Sequence, residues 1–193
     1  VGTKSEPVRV YPQGSLAAQV LGFVNDEGAG KYGVEQFLND DLKGKPGQLK
    51  AVTDAKGVPL AANSDNVVID PVAGQQIVLT IDVPMQRQLE TILKEGLDKA
   101  KSKSGSALIM DPNSGAIKAM ANYPTYNPAE FFKQEDAAVF SNAAVSSPLE
   151  IGSVMKPLTT AAALNSGAVQ ANQSYFDPGK FTVDTKEITN VEE

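Results

Sequence analysis

Residues 149–157 read Leu-Glu-Ile-Gly-Ser-Val-Met-Lys-Pro, and the stretch that they open decides how the rest of the sequence is interpreted. A mainly apolar segment follows and stops at Gly167, which predicts a helix from Ser153 towards Asn165. Side chains three positions apart lie one above the other on a helix. The sequence therefore predicts that Ser153 and Lys156 lie on one face at the helix N-terminus.

The chemistry open to this pair follows from what the composition lacks. The sequence has no histidine and no cysteine, which excludes Ser-His-Asp triads, cysteine nucleophiles, and metal sites built on thiolate or imidazole. A serine hydroxyl needs a base to become a good nucleophile, and Lys156 is the candidate. A lysine amine acts as a base when burial or nearby positive charge favours its neutral form. Apolar residues predict that the helix is buried on most sides: Val154, Met155, Leu158, Ala161, Ala162 and Leu164.

The spacing alone also fits a structural interpretation. Serine three residues before lysine is a short motif that occurs by chance, with the serine as a helix N-cap and the lysine in solvent. Pro157 adds a constraint, because its missing N–H is tolerated only if the helix begins no earlier than Ser153.

Up to about Gly74 the chain is rich in turn residues and short extended runs. Residues 8–11 alternate before a Pro-Gln-Gly break, and residues 16–24 predict a short helix running into a strand. Residues 34–42 predict a helix, and residues 48–70 predict short strands separated by turns. The pattern is typical of a β-rich accessory module with little core.

Beyond Gly74 the elements become longer. Residues 76–81 predict a buried strand, and Asp82 predicts the N-cap of a helix with Pro84 in its first turn. Residues 106–110 and 116–120 flank Asp-Pro-Asn-Ser-Gly and predict a β-hairpin. The apolar face of the predicted helix comprises Leu89, Ile92, Leu93, Leu97 and Ala100.

The bulk composition limits the classes of protein. The chain has 193 residues, 41% of them hydrophobic, as a globular protein does. Its net charge of −6 argues against a nucleic-acid-binding surface. No apolar run approaches the roughly 20 residues that span a bilayer. We expect this soluble chain to be a piece of a longer protein, whose relation to a membrane stays open.

A resemblance to a known protein family supports a catalytic interpretation of the Ser153 and Lys156 motif. Serine-x-x-lysine, with serine-x-asparagine and lysine-threonine-glycine further on, is the signature of penicillin-binding proteins and class A β-lactamases. In class B penicillin-binding proteins the first box typically reads Tyr-Glu-Pro-Gly-Ser-x-x-Lys-Pro. Residues 149–157 resemble it, with Leu149 and Ile151 in place of tyrosine and proline, and Asn142 resembles an asparagine that precedes the box.

The resemblance covers the chain from about Val8 to Gly179, and segments upstream of the box match the family in the family's order. Those similar to the pedestal that precedes the catalytic domain are residues 11–17, 21–24, 30–35 and 42–47. Those similar to the start of the catalytic domain are residues 79–82 with Gln86, and residues 110–120 with 123–124 and 127–128.

The resemblance implies an α+β protein in two parts: an incomplete β-rich dimerisation or pedestal module over residues 1–72, and the N-terminal portion of a transpeptidase domain over residues 73–193. It implies a serine D,D-transpeptidase of peptidoglycan synthesis, in which Ser153 attacks the D-Ala-D-Ala carbonyl of a stem peptide and Lys156 takes its proton. β-Lactams would acylate the same serine. Implied partners are the stem peptide, β-lactams and other cell-wall synthesis proteins, with no metal or organic cofactor and no nucleic acid.

The resemblance also implies a place in the cell, the extracytoplasmic face of the bacterial membrane, with an N-terminal anchoring helix outside this chain. Two departures from the family pattern matter. Neither of the two later boxes occurs after Ser153, so we expect the fragment alone to be inactive or nearly so. The N-terminal end also lacks the arginine-glycine and aspartate-arginine segment that usually begins the pedestal, so we expect that module to be cut as well. Two alternatives stay open. The changes at Leu149 and Ile151 favour a non-catalytic scaffold for cell-wall synthesis partners, and the shared box also fits a β-lactamase or β-lactam sensor, although the pedestal segments count against it.

Overall fold

The structure, a computed structural model, describes residues 8–50 and 67–190. The chain divides into two compact units, the first ending at Ser147 and the second beginning at Pro148. Helices and strands are mixed along the chain, which confirms the predicted α+β class. The predicted module boundary near Val72 stays a prediction.

The first part of the first unit consists of short elements, as the turn-rich sequence predicts. They are α1 (Ala18–Leu21), β1 (Phe23–Val24), β2 (Gly30–Lys31), α2 (Gly33–Phe37), α3 (Asn39–Lys43), β3 (Gln48–Lys50) and β4 (Val67–Ile69). Antiparallel pairing joins β1 to β2 and β3 to β4. The helix leading into a strand within residues 16–24 is confirmed, and so is the helical stretch 34–42, which is broken at Leu38.

Two predictions for this part have other outcomes. Residues 8–11 form no strand, although the predicted break is a turn closed by the Gly14 N–H, which donates to the Tyr11 carbonyl at 3.0 Å. The predicted strand pieces and turns between residues 51 and 66 lie outside the described residues.

The second part of this unit contains one long helix and a hairpin. It comprises α4 (Val83–Ala100), β5 (Gly105–Met110), β6 (Ile117–Tyr123), two 3₁₀ helices (Pro128–Lys133 and Ala137–Phe140) and α5 (Ala143–Ser146). The Asp82 carboxylate accepts a hydrogen bond from the Met85 N–H at 2.9 Å, which confirms the predicted N-cap. β5 and β6 pair antiparallel, which confirms the predicted hairpin.

The prediction of a buried strand at residues 76–81 is wrong. This segment has no ladder partner, and Val78 is 84% exposed. Its contacts with the start of β6 are the Thr80 hydroxyl on the Ile117 carbonyl at 2.6 Å, and the neighbouring Asp82 N–H on the Lys118 carbonyl at 2.8 Å. An apolar run favours a buried strand but does not specify the neighbour that would pair with it or cover it, and the described residues place no such neighbour beside this segment.

The core of the first unit is aromatic and draws on both of its parts. Its buried members are Ala18, Phe23, Tyr126 and Phe140. Phe23 stacks on Phe131 with ring centroids 4.3 Å apart, and Tyr126 meets Phe140 edge-on at 4.9 Å. Such pairs add to the free energy gained from burying the rings. The cluster therefore ties the turn-rich first part to the elements that follow β6.

Two buried glutamines reinforce this connection. The Gln86 side chain, on α4, is fully buried and pairs with both backbone groups of Met120: its Nε2 donates to the carbonyl at 2.8 Å and its Oε1 accepts from the N–H at 2.7 Å. Gln19, on α1, donates to the carbonyls of Pro124 and Val139 at 2.9 and 3.1 Å. Since buried polar groups without partners are costly, these bonds fix α1 and α4 against β6 and the loop beyond it.

We expect Phe23→Ala to lower the free energy of unfolding by about 3 to 5 kcal/mol, the usual cost of removing a buried aromatic side chain. Phe23 is 5% exposed, whereas Phe132 is 68% exposed and makes a matched control. Phe132→Ala should change the free energy of unfolding by no more than about 0.5 kcal/mol. Urea denaturation monitored by circular dichroism measures both, and equal losses would contradict the assignment of the core.

The second unit is small. A 3₁₀ turn (Gly152–Val154) leads into α6 (Met155–Asn165), and β7 (Lys180–Val183) pairs antiparallel with β8 (Lys186–Thr189). The predicted helix ending before Gly167 is confirmed. Within the residues that the structure describes, no helix is both long enough and apolar enough to cross a membrane.

Candidate active site

Ser153 and Lys156 lie at the start of one helical segment. Ser153 is the middle residue of the 3₁₀ turn, and Lys156 is the second residue of α6. The turn begins at Gly152, whose φ of +53° is in the left-handed region that glycine adopts without strain. Val154 and Met155 have right-handed helical backbone angles, so the turn runs into α6 without interruption. That the two side chains act together stays a prediction.

Pro157 fits this position because the α-helix begins late. It is the third residue of α6, inside the first turn, where a proline is tolerated because the N–H groups there have few partners within the helix. The Thr159 and Thr160 hydroxyls each donate to a carbonyl one turn earlier, those of Met155 and Lys156, at 3.0 Å. The helix thus continues regularly past the proline.

The predicted burial of α6 on most sides is wrong for the described residues. No residue of α6 is buried: Leu158 is 59% exposed, and Val154, in the turn just before the helix, is 69% exposed. Ser153 and Lys156 are exposed as well. The physical reason is the small size of the described second unit. Besides α6 and its leading turn it contains only a two-stranded hairpin, which has too little apolar surface to cover a helix on most sides.

Asn142 precedes α5 in the first unit and is held by a second asparagine. The Asn142 Oδ1 accepts a hydrogen bond from the Asn122 Nδ2 at 2.9 Å, and its Nδ2 lies 3.1 Å from the Met120 sulfur. Asn122 is 7% exposed. The sequence analysis missed Asn122, although an amide in an otherwise largely apolar strand is a usable signal, because a buried amide requires partners.

The charged side chains of the described residues form separate pairs. Arg9 contacts Glu35 at 2.8 Å, Lys94 contacts Asp98 at 2.7 Å, and Lys133 contacts Glu130 at 2.6 Å. Across residues 8–50 and 67–190, no three acidic side chains gather as a group that would hold a metal ion.

Two family models match this chain, and together they span most of it. Residues 1–79 match the penicillin-binding protein dimerisation domain, and residues 105–193 match the penicillin-binding protein transpeptidase domain. The Ser153 and Lys156 pair lies within the second match.

Curated relatives extend the similarity over nearly the whole chain. A Pseudomonas aeruginosa protein named as a probable peptidoglycan D,D-transpeptidase, PbpC, is 38% identical over 95% of this chain and 32% of its own length. Stage V sporulation protein D of Bacillus subtilis is 34% identical over 93% of this chain and 28% of its own length. Peptidoglycan D,D-transpeptidase FtsI of Escherichia coli is 31% identical over 97% of this chain and 31% of its own length. The chain thus spans about a third of the length of these relatives.

Solved structures agree with the sequence relatives. Penicillin-binding protein 3 of Mycobacterium tuberculosis superposes with a TM-score of 0.74 and 27% identity, over 96% of this chain and 38% of that one. A peptidoglycan synthetase of Bifidobacterium adolescentis gives a TM-score of 0.76 and 27% identity, over 95% of this chain and 33% of that one. The Mycobacterium tuberculosis protein has also been solved in complex with aztreonam and with ampicillin.

Proposed function

This chain belongs to the class B penicillin-binding protein family, and from that premise we propose that the protein is a serine D,D-transpeptidase that cross-links peptidoglycan stem peptides. The observation that carries the proposal is the position of Ser153 and Lys156 at the start of one helical segment, inside the part of the chain that matches the transpeptidase domain. Relatives named as peptidoglycan D,D-transpeptidases support it.

In the proposed acylation, the Ser153 hydroxyl oxygen attacks the carbonyl carbon between the two D-alanines of a stem peptide. The Lys156 amine accepts the hydroxyl proton and passes it to the nitrogen of the terminal D-alanine as the C–N bond breaks. The products are an ester on Ser153 and free D-alanine. Backbone N–H groups at the start of a helix suit the negative charge that develops on the carbonyl oxygen.

The ester is resolved by an amine of a neighbouring stem peptide. This amine attacks the ester carbonyl, a base takes its proton, and the Ser153 oxygen leaves and is reprotonated, so that a new peptide bond joins two strands. A β-lactam follows the first half of this path, because its ring amide takes the place of the scissile bond. The ring nitrogen stays attached to the product, so no small group departs and the adduct persists.

The proposal extends to location and partners. The substrate lies outside the cytoplasm, so we place the protein at the extracytoplasmic face of the membrane, among other cell-wall synthesis proteins. The relatives carry about three times the length of this chain. We therefore propose that residues 1–193 alone are inactive, and that the site is completed by the remaining two family boxes.

Mass spectrometry of the full-length protein after exposure to benzylpenicillin tests the proposal. We expect a mass increase equal to the whole antibiotic, in a peptide that contains Ser153 and is stable over minutes to hours. The same treatment after heat denaturation is the control, because an unfolded serine has no activated hydroxyl. Absence of the adduct would contradict the transpeptidase, and rapid loss of the adduct with release of hydrolysed penicillin would indicate a β-lactamase.

A further inference from the structure

The turn before α1 is held against α4 by polar side chains of that helix. The backbone N–H of Ala17 donates to the Glu90 Oε1 at 2.8 Å, and the Arg87 Nη2 donates to the Gln13 Oε1 at 2.6 Å. All of these residues belong to the first unit. Because Ala17 is 7% exposed, the Glu90 carboxylate satisfies a backbone N–H that is largely shielded from water.

Ala17 has a backbone conformation that an alanine rarely adopts. It is the N-cap residue of α1, a position where the backbone is normally extended, yet its φ of 53° and ψ of 30° are left-handed. The left-handed region is strained for a residue with a Cβ atom, whereas glycine enters it freely. Such a conformation persists only where the surrounding structure holds it. Glu90, 73 positions away in the sequence, supplies a hydrogen bond to this backbone.

The same carboxylate oxygen also connects the turn to the sheet. Glu90 Oε1 accepts a second hydrogen bond, from the Gln86 Nε2 at 2.8 Å, and the Gln86 amide pairs with the backbone of Met120 on β6. Ala17 lies in the part that matches the dimerisation domain and Met120 in the part that matches the transpeptidase domain, whereas α4 lies between the two matches. Glu90 thus links the two matched parts through one oxygen atom.

We propose that Glu90 is a conformational lock: its carboxylate keeps Ala17 left-handed and thereby sets where α1 begins. Without this acceptor, Ala17 relaxes out of the left-handed region, and the turn over residues 13–17 separates from α4. The position of α1 matters because Ala18 and Gln19, on this helix, are buried against the loop beyond β6. The inference does not rest on the proposed function, since it involves no step of the acylation.

Hydrogen exchange of the full-length protein tests the lock, measured by mass spectrometry on the peptide that covers residues 13–22. Glu90→Leu, of similar volume and without an acceptor, should raise the exchange rate of this peptide about tenfold, the usual effect of losing a hydrogen bond to a charged group. Glu90→Gln keeps an oxygen that accepts both bonds and should stay within about threefold of the unsubstituted rate. Glu95→Leu, at an exposed glutamate on the same helix, is the matched control and should exchange at the unsubstituted rate.

A double-mutant cycle with Ala17→Gly distinguishes a conformational lock from a bond that adds stability alone. Glycine adopts the left-handed conformation without help from Glu90, so Glu90→Leu should raise exchange by no more than about threefold in the Ala17→Gly background. The comparison is made within each background, which removes the effect of the glycine itself. The peptide covering the β5–β6 hairpin should stay within about twofold in all variants, because Gln86 still pairs with Met120 when Glu90 is replaced.

An equal rise from Glu90→Leu in both backgrounds would overturn the inference, because the carboxylate would then act without regard to the conformation of Ala17. The inference also fails if exchange does not rise, if the hairpin peptide rises as much, or if Glu90→Gln behaves as Glu90→Leu does. If Glu90→Leu folds only in the Ala17→Gly background, that rescue supports the lock. If it folds in neither background, Glu90→Asp, whose carboxylate is one methylene too short for the Ala17 N–H, takes its place in the cycle and is judged by the same results.

Discussion

Ser153→Ala is expected to abolish the penicillin adduct, reducing labelling of the full-length protein to below about one part in a thousand of the unsubstituted level. Alanine removes the oxygen that forms the ester and leaves the 3₁₀ turn without a change of backbone. Ser153 is exposed, so the substitution should leave the thermal midpoint of unfolding nearly unchanged. Intact-protein mass spectrometry measures the adduct, and differential scanning fluorimetry measures the midpoint.

Ser166→Ala provides a matched control at the other end of α6. The Ser166 hydroxyl is exposed and donates to the Ala163 carbonyl at 3.1 Å, so it is engaged in a local helix-end bond. Labelling should be the same in this variant as in the unsubstituted protein. If Ser153→Ala still forms an adduct of the full antibiotic mass at another serine, the nucleophile has been assigned to the wrong residue.

Local signals predicted local structure well. Asp82 with Pro84 marked the start of α4, and residues 111–115 marked the turn between β5 and β6, because capping and turn chemistry involve neighbours in sequence. The segment 76–81 was misassigned because a strand requires a partner that its own residues do not specify. Prediction thus failed where the stabilising contact is distant in sequence.

The difference between local and distant contacts also explains why the aromatic core was not predicted. The turn-rich first part was expected to have little core, yet Ala18 and Phe23 are buried in the aromatic cluster with Tyr126 and Phe140. Tyr126 also donates through its hydroxyl to the Ala18 carbonyl at 3.1 Å, and burial raises the pKa of this phenol. These contacts join residues more than a hundred positions apart, which no periodicity within a short window reports.

For the candidate site, the sequence predicted the start of the helix and its spacing but not its surroundings. Ser153 and Lys156 lie where the helix signals placed them. The apolar composition of α6 was interpreted as burial, whereas its side chains are exposed in the described residues. The sequence did not predict the role of Asn122, because its hydrogen-bond partners, the Asn142 side chain and the Ala144 N–H of α5, lie about twenty residues away and are identified only in the folded structure.

Lys156→Arg is expected to lower the acylation rate of Ser153 by about 10²- to 10⁴-fold, the range for loss of a general base. Arginine keeps the positive charge and the approximate length of lysine, but its guanidinium stays protonated and cannot accept the serine proton. Lys156 is exposed, so the fold should be unaffected. Lys99→Arg, at an exposed lysine in the last turn of α4, is the matched control and should acylate at the unsubstituted rate.

Lys156→Met separates the two roles that a lysine can have beside a nucleophile. If Lys156 acts as the base, Met and Arg variants should be impaired to a similar degree, because neither side chain accepts the proton. If the lysine instead contributes only positive charge that stabilises the oxyanion, Arg should retain most of the rate while Met loses it. Stopped-flow measurement of acylation by a chromogenic cephalosporin distinguishes the two patterns, and retention of the rate in Lys156→Arg would remove the proton-accepting step from the proposed mechanism.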